Sequence, residues 1–162
     1  MASGQRVFRH RSVMRSTIAE LTRFHSAPDA LRMLTPPPIF LQVLRDDRTA
    51  LTAGDITFRL WFGPLPVRWV ARHEPGSYPA VFADRMLSGP LASWRHEHAF
   101  RAAGEGVELM DTITYAHQPG WRGVLTRLAF GGPALRGVFW YRHWRTRRAL
   151  ERMPTRSQPA ER

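Results

Sequence analysis

The stretch FADRMLSGPLASWRHEHAF, residues 82–100, decides the fold of this chain. Ser88-Gly89-Pro90 is typical of a turn, and the residues on both sides of it alternate with the two-residue period of a β-strand. One face of the predicted hairpin carries Phe82, Asp84 and Met86 on the first strand and Trp94, His96, His98 and Phe100 on the second. A packed core excludes carboxylates and imidazoles, and a solvated surface excludes large aromatic rings. The mixture therefore predicts the wall of a lined cavity.

Composition limits the class of protein. With 162 residues, of which 43% are hydrophobic, the chain is long enough for one domain with a core and a pocket. We expect this domain over residues 1–153 and a flexible polar tail over residues 154–162. The absence of Cys excludes disulfides, thiolate nucleophiles and zinc–thiolate sites. No apolar run approaches the ~20 residues of a membrane span, and the N-terminus lacks the apolar region of a signal peptide, so we expect a soluble cytoplasmic protein.

The chain is strongly basic. Its formal net charge is +11, and all 24 basic residues are Arg. Such a charge attracts anionic partners, whether a membrane surface, a nucleic acid or an acidic protein. Nucleic-acid binding is the least favoured of these, because no recognition motif accompanies the charge.

The first part of the chain supplies strands and two short helices. Residues 6–14 alternate as an opening strand, and Thr17-x-x-Glu20 is a capping box that begins a short helix. A second short helix is predicted over residues 28–34. Further strands are predicted over residues 40–45, 55–62, 67–74 and 107–117.

Residues 121–153 change to helical periodicity. Apolar stripes are formed by Leu125, Leu128 and Ala129 and by Leu135, Val138, Phe139 and Ala149. Gly131-Gly132-Pro133 lies between the two stripes and should kink or split the helix. An antiparallel sheet followed by a long terminal helix is an α+β layout, and the space between them suits an apolar ligand.

Several motifs carry a resemblance to a known superfamily. They are Leu34-Thr35-Pro36-Pro37, Phe82-x-Asp84, Gly89-Pro90-Leu91-x-x-Trp94-x-His96-x-His98-x-Phe100, Asp111-x-Ile113-x-Tyr115 and Phe139-x-Tyr141-Arg142-His143. With the order of elements, they make residues 6–150 resemble the START-like (Bet v 1-like, SRPBCC) superfamily, near bacterial polyketide cyclase/dehydrase-type proteins. The resemblance implies a helix-grip fold, in which a seven-stranded antiparallel sheet surrounds a long C-terminal helix and two short helices follow strand 1. It also implies a cavity for a lipid, quinone or polyketide-like molecule, in a superfamily of carriers, sensors and enzymes.

A row of polar residues crosses the predicted cavity wall. If the turns centre on Gly89-Pro90 and Ala103-Gly104, Asp84 lies opposite His96, and His96 lies opposite Asp111. A two-residue slip would instead put His98 in the central place. A His between carboxylates is a general-base candidate, so the catalytic candidates are His96, His98, Asp84 and Asp111. The favoured alternative is a hydrogen-bonded network that fixes the register of the strands.

The row also has the residue types of a metal site. Two imidazoles on one strand face, with Asp84 or Asp111, could ligate zinc or iron. A metal site further needs residues that orient its ligands, and the sequence does not reveal them. We therefore expect no metal and no cofactor.

Two larger sets of residues complete the predicted site and surface. The candidate ligand-binding residues are Phe58, Trp69, Phe82, Met86, Trp94, Phe100, Ile113, Tyr115 and Phe139, and Trp61 is a further aromatic candidate. Ordinary core packing is the alternative for about half of the aromatic ones. The basic helix carries Arg136, Arg142, Arg145, Arg147, Arg148 and Arg152 with Trp140 and Trp144. Its face is either simply solvated or docks to anionic lipid headgroups.

The sequence thus favours binding or transport of a hydrophobic small molecule in a cavity between sheet and helix. The first alternative is an enzyme of the cyclase, dehydratase or isomerase type that uses a His–Asp base in the same cavity. The second is an interaction module that docks through the Arg-rich helix.

Overall fold

The structure, a computed structural model, describes residues 4–152. The predicted tail, residues 154–162, lies outside these residues, and the predicted domain boundary stays a prediction. Seven strands form one antiparallel sheet: β1 (Arg6–Met14), β2 (Phe40–Asp46), β3 (Gly54–Phe62), β4 (Leu65–Pro75), β5 (Phe82–Ser88), β6 (Ser93–Ala103) and β7 (Gly106–Ala116). Four helices accompany it: α1 (Ile18–Ser26), α2 (Ala30–Met33), α3 (Gly120–Phe130) and α4 (Gly132–Glu151). The strand order is β1-β7-β6-β5-β4-β3-β2. The predicted α+β helix-grip architecture, with two short helices after strand 1 and a long bent C-terminal helix, is confirmed.

Helix α1 begins at the predicted capping box. The Glu20 N–H donates to Thr17 Oγ1 (3.2 Å), and the Thr17 N–H donates to Glu20 Oε2 (3.0 Å). These bonds satisfy two amide groups that a helix leaves without partners at its first turn. The helix then buries Leu21, Phe24 and His25 against the sheet side of the molecule.

Gly131 divides the C-terminal helical region into α3 and α4, as its sequence predicts. Its backbone is extended, and Pro133 occupies the first turn of α4, where the missing N–H of proline costs nothing. A Cβ atom at Gly131 would overlap the carbonyl oxygen of Arg127, so only glycine fits this close approach.

The core consists of two apolar clusters that share the concave face of the sheet. The first includes Ile56, Phe58, Trp69, Trp94, Ile113, Tyr115, Leu135 and Phe139. The second includes Met14, Leu21, Phe24, Phe82, Phe100, Val107, Leu109 and Leu150. Helix α4 contributes to both, through Leu135 and Phe139 near its start and Leu150 near its end. Between them on the same helix lies a buried imidazole, His143.

The register between β6 and β7 corrects one prediction. Asp84 pairs with His96 across β5 and β6, as expected, but His98 and not His96 pairs with Asp111. The β6–β7 turn is centred on Gly104 and Glu105, since Ala103 pairs with Gly106. Gly104 adopts φ +56°, a conformation that glycine accepts readily at the first central position of a tight hairpin. The two-residue slip considered for this hairpin is therefore the observed register.

Two further placements differ from the expected ones. Trp61 lies on the opposite face of the sheet, where its Nε1–H donates to Gln42 Oε1 (3.1 Å), so it does not face the cavity. The stripe on α3 points to solvent: Leu125 is 56% exposed and Leu128 is 75% exposed. Among residues 4–152, none of the helices has the length and apolar character needed to cross a membrane. The cytoplasmic location stays a prediction.

Candidate functional site

A cavity of about 170 Å³ lies between the concave face of the sheet, the α1–α2 region and the start of α4. Five of the predicted ligand-binding residues line it: Phe58, Trp69, Phe82, Trp94 and Phe139. The other four, Met86, Phe100, Ile113 and Tyr115, pack in or against the adjoining apolar clusters. Sequence reasoning missed the contributions of Leu31, Leu34, Ile39, Leu60, Phe62, Phe130 and Leu135. Alternation along β3 from Phe58 was the available signal for Leu60 and Phe62.

Polar side chains gather along one part of the cavity wall. They are His25, Arg48, His73, Asp84, His96, His98 and Arg142, and Thr35 is a further polar residue of the lining. They adjoin one another: the ring centroids of His96 and His98 are 3.9 Å apart, and those of His25 and His98 are 5.6 Å apart. Four of the seven histidines line the cavity here, and two more lie behind them: His143 is bonded to Asp111, and His10 packs against the His143 ring. The cavity therefore has an apolar body and one polar end.

A hydrogen-bonded network runs from this polar end to the other side of the core. Asp111 Oδ1 lies 3.0 Å from His96 Nε2, and Asp111 Oδ2 lies 2.8 Å from His143 Nε2. Because a carboxylate only accepts, both imidazole nitrogens donate. His143 Nδ1 lies 2.6 Å from Ser12 Oγ, which completes a chain from β6 through β7 and α4 to β1.

Asp84 belongs to the cavity side of the same network. Its Oδ2 lies 3.3 Å from His96 Nδ1 and 3.3 Å from His98 Nε2. The second nitrogen of His98, Nδ1, lies 2.8 Å from Asp111 Oδ1, but it has no well-aligned hydrogen-bond partner. His96, His98 and Asp111 are buried, whereas Asp84 keeps about a fifth of its side chain open: 22%. The structure thus brings the four predicted catalytic candidates together.

The ionisation of this cluster follows from its pairing. Burial lowers the pKa of His96, but the charges of Asp84 and Asp111 and the bonds to them outweigh it and raise the pKa to about 9. Burial would raise the pKa of both carboxyl groups. The imidazoles beside them outweigh it and hold both pKa values well below the usual range. This pairing favours the protonated form of His96 at neutral pH, in which the ring can donate a proton; a catalytic role for the cluster stays a prediction.

The pKa values of His25 and His73 are shifted in the opposite direction, below the usual value for histidine. Burial lowers the pKa of His25 to about 3, and the nearby charge of His98 adds to this effect. Burial also lowers the pKa of His73. Both rings are therefore neutral at pH 7. His25 donates its Nδ1–H to the Leu21 carbonyl (2.9 Å), which leaves Nε2 as an acceptor.

Several polar residues of the site were not assigned to it from the sequence, among them His25, His73, Arg142, His143 and Ser12. His143 occurs in the Phe139-x-Tyr141-Arg142-His143 motif, and its four-residue spacing from Phe139 was the signal that both share one helix face. Arg142 lines the cavity with its guanidinium carbon 5.4 Å from the Phe139 ring centroid. Ser12 lies on the predicted first strand, and the sequence offered no signal for its contact with His143.

The other arginines of α4 lie outside the cavity. Arg136, Arg147, Arg148 and Arg152 are exposed, and Arg145 is half-buried. Trp140 and Trp144 stack with their centroids 6.4 Å apart, and Arg145 and Arg148 lie against Trp144. The guanidinium carbons of Arg145 and Arg148 lie 6.0 and 5.2 Å from the Trp144 ring centroid, within the range of cation–π attraction.

Comparison with known proteins identifies the fold. No protein-family model and no curated protein matches the chain. A protein from Chromobacterium violaceum aligns with 91% of this chain and 98% of its own, with 13% identity and a TM-score of 0.67. Norcoclaurine synthase from Thalictrum flavum, in complex with a transition-state analogue, covers 92% and 99% with 11% identity and a TM-score of 0.64. A protein from Thermus thermophilus covers 89% and 99% with 17% identity and a TM-score of 0.61.

These structures share the sheet and the long C-terminal helix over nearly the whole described chain, and they include Bet v 1-like proteins. Identities of this size establish a common fold and no more. The chain has the START-like, or Bet v 1-like, helix-grip fold.

Proposed function

We propose that the protein binds a small, largely apolar molecule that carries one polar group, in the cavity between sheet and α4. The observation that carries this proposal is the composition of the cavity wall, which is apolar and aromatic over most of its area and polar at one end. Pockets of this kind bind apolar ligands through their walls and orient them through a few polar groups. Proteins with this fold commonly bind hydrophobic ligands, which adds support.

The size of the cavity favours a compact ring system. A cavity of about 150 Å³ holds one benzene molecule, and the present cavity measures about 170 Å³. A quinone ring or a small aromatic polyketide fits this volume better than the acyl chain of an intact lipid. Arg142 and the imidazole of His73 at the polar end can hydrogen-bond a carbonyl or phenolate oxygen.

Ligand binding can be tested with a panel of naphthoquinone, naphthol and palmitate. Trp69 and Trp94 line the cavity, so their fluorescence should change on binding, and the melting temperature should rise for the ring compounds. The variant Leu60→Trp fills the cavity and should weaken binding at least about tenfold. Leu87→Trp, on the outward face of β5, is the matched control and should bind normally.

Native mass spectrometry of the protein from its own host would identify the ligand. An empty cavity, no thermal shift with any panel member and no difference between the two variants would refute this function.

Acid–base catalysis in the same cavity is a second candidate, because Asp84, His96 and His98 face it. Such an enzyme, of the cyclase, dehydratase or isomerase type, would use His96 or His98 together with Asp84 for proton transfer. Asp84→Asn should then stop turnover of a bound ring compound without abolishing its binding. A carrier would show no turnover in the wild type, and that result would remove this candidate.

Docking to an anionic membrane is a third candidate, now favoured by α3. Its outward face carries Trp121, Val124, Leu125 and Leu128, which are 54–75% exposed. Exposed arginines flank this face, and it continues into Ala129 and Phe130 at the cavity. Such a helix face inserts its apolar side into a lipid interface while the arginines meet headgroups.

Membrane docking can be measured by cosedimentation with phosphatidylglycerol vesicles. Leu125→Glu should abolish binding, whereas Val13→Glu, at an equally exposed site on β1, should not. Equal binding by both variants, or equal binding to phosphatidylcholine, would refute docking through α3.

A further inference from the structure

Three ligand atoms converge at the polar end of the cavity. They are Asp84 Oδ2, His96 Nδ1 and His98 Nε2, and all lie within 4.8 Å of one another. Each nitrogen is 3.3 Å from the same carboxylate oxygen. Two imidazoles and one carboxylate are a ligand set typical of zinc and of non-haem iron.

The two contacts of Asp84 are long for charge-assisted hydrogen bonds and have the length expected between neighbouring ligands of one metal ion. Zinc bonds to nitrogen and oxygen measure about 2.0–2.1 Å, and a tetrahedron with such bonds separates neighbouring ligand atoms by about 3.3–3.4 Å. Charge-assisted hydrogen bonds between nitrogen and carboxylate oxygen measure about 2.7–2.9 Å. The two contacts of Asp84, at 3.3 Å, match the separation of neighbouring metal ligands. The contact of Asp111 with His143, at 2.8 Å, matches a charge-assisted hydrogen bond.

Asp111 occupies the position that orients metal-binding imidazoles. Its Oδ1 lies 3.0 Å from His96 Nε2 and 2.8 Å from His98 Nδ1, which are the two ring nitrogens that face away from Asp84. A metal-binding His almost always donates its other N–H to such an acceptor, and this contact fixes its tautomer. Rotation of the His98 ring on coordination would align its Nδ1–H with Asp111.

Asp111 is itself held in place. Its second oxygen accepts from His143 Nε2 at 2.8 Å, and His143 contacts Ser12 through its other nitrogen at 2.6 Å. Asp111 is 2% exposed and His143 is 3% exposed. This buried support is the feature that the sequence could not reveal, and it changes the expectation that no metal binds here.

We propose that Asp84, His96 and His98 bind one divalent transition-metal ion, with Zn²⁺ the best match to their spacing, and that Asp111 is the positioning residue behind both imidazoles. Because a ligating imidazole is unprotonated, the ion would displace the proton from His96 Nδ1 and take over the pairing of that side of the ring with Asp84. All three ligands line the cavity, so the remaining coordination position opens toward it. An open position of this kind accepts water or a ligand oxygen. The site does not depend on which small molecule the cavity holds.

Metal binding can be measured on the full chain, free of any polyhistidine tag and stripped with a chelator. Titration with ZnCl₂ in a calorimeter should give one Zn²⁺ per chain, and native mass spectrometry should show the same stoichiometry. Co²⁺ in place of Zn²⁺ should give the intense visible absorption of a tetrahedral site. No stoichiometric binding of either ion would overturn the proposal.

Variants assign the binding to these residues. His98→Asn and Asp84→Asn should each weaken Zn²⁺ binding by about 100-fold or more, and Asp84 is open enough to tolerate the change if the His98 variant does not fold. Asp111→Asn should weaken affinity by about 10–100-fold and retain one Zn²⁺ per chain. His117→Asn, a histidine outside the cavity that bonds Thr126, is the matched control and should bind as the wild type does. Unchanged affinity in a folded Asp84 variant, or equal loss in the His117 variant, would refute the assignment.

Discussion

Burial of His25 predicts a specific loss of stability in mild acid. The ring lies between Phe24, Phe82 and Phe100, with centroid distances of 5.3–6.0 Å, and 8% of the residue is exposed. Its pKa falls from 6.5 to about 3 in the folded protein, through burial first and the charge of His98 second. Asp111 and the bond to the Leu21 carbonyl act in the opposite direction but are outweighed.

Proton linkage gives the direction and the size of the change in the free energy of unfolding with pH. Since the folded state keeps His25 neutral, the unfolded chain takes up the proton first as the pH falls. The stability is fully present above the unfolded pKa of 6.5 and is lost as the pH falls from there toward 3. Between pH 7 and pH 5 this one group should lower the free energy of unfolding by about 2 kcal/mol.

The assay compares urea unfolding of the wild type and His25→Phe at pH 7, 6 and 5 with a chelator present. Phe keeps the ring packing but cannot titrate, so the variant should lose about 2 kcal/mol less than the wild type over this range. The lost bond to Leu21 adds a constant offset at every pH. His117→Phe, at a partly exposed site, is the control and should alter the pH dependence far less. A wild-type-minus-variant difference that stays constant from pH 7 to pH 5 would refute the reasoning.

Three stability predictions can be checked by the same unfolding measurement at pH 7. Thr17→Ala removes the acceptor of the Glu20 N–H and should cost about 1 kcal/mol; no loss would show that the capping box is idle. Ile113→Ala leaves a void at a fully buried position and should cost about 2–5 kcal/mol, a cost below 1 kcal/mol implying that the core collapses around it. Gly131→Ala places a methyl group on the Arg127 carbonyl and should cost about 1–3 kcal/mol; a neutral effect would contradict the close packing there.

The sequence predicted the fold because its signals are local. The period-2 pattern of residues 82–100, the capping box at Thr17 and the break at Gly131-Gly132-Pro133 each depend on neighbours in the chain, and each appears as expected. The register of β6 and β7 was wrong by two residues, because parity fixes which face a side chain takes but leaves the turn centre open.

The site was less predictable, since it depends on contacts between distant segments. Ser12 and His143 are 131 residues apart in sequence and 2.6 Å apart in the structure. Alternation placed Ile113 and Tyr115 on the inward face, yet that face extends beyond the cavity into the core. The predicted apolar stripe lies on one face of α3. Periodicity alone does not tell whether such a face packs on the sheet or points to solvent, and Leu128 points to solvent.

The sequence allows two interpretations of the polar row, a functional site or a structural hydrogen-bonded network. The observed geometry is compatible with both at once. Two apolar clusters lie on either side of it, and Asp111 bonds to both β6 and α4. Loss of His143 would leave the buried Oδ2 of Asp111 without its hydrogen-bond donor, which would destabilise the fold whatever the cavity binds. The same contacts fix the orientation of His96 at the cavity wall. A network that holds helix to sheet at one end can therefore present a rigid set of ligand atoms at the other, because preorganisation of a site needs such support behind it.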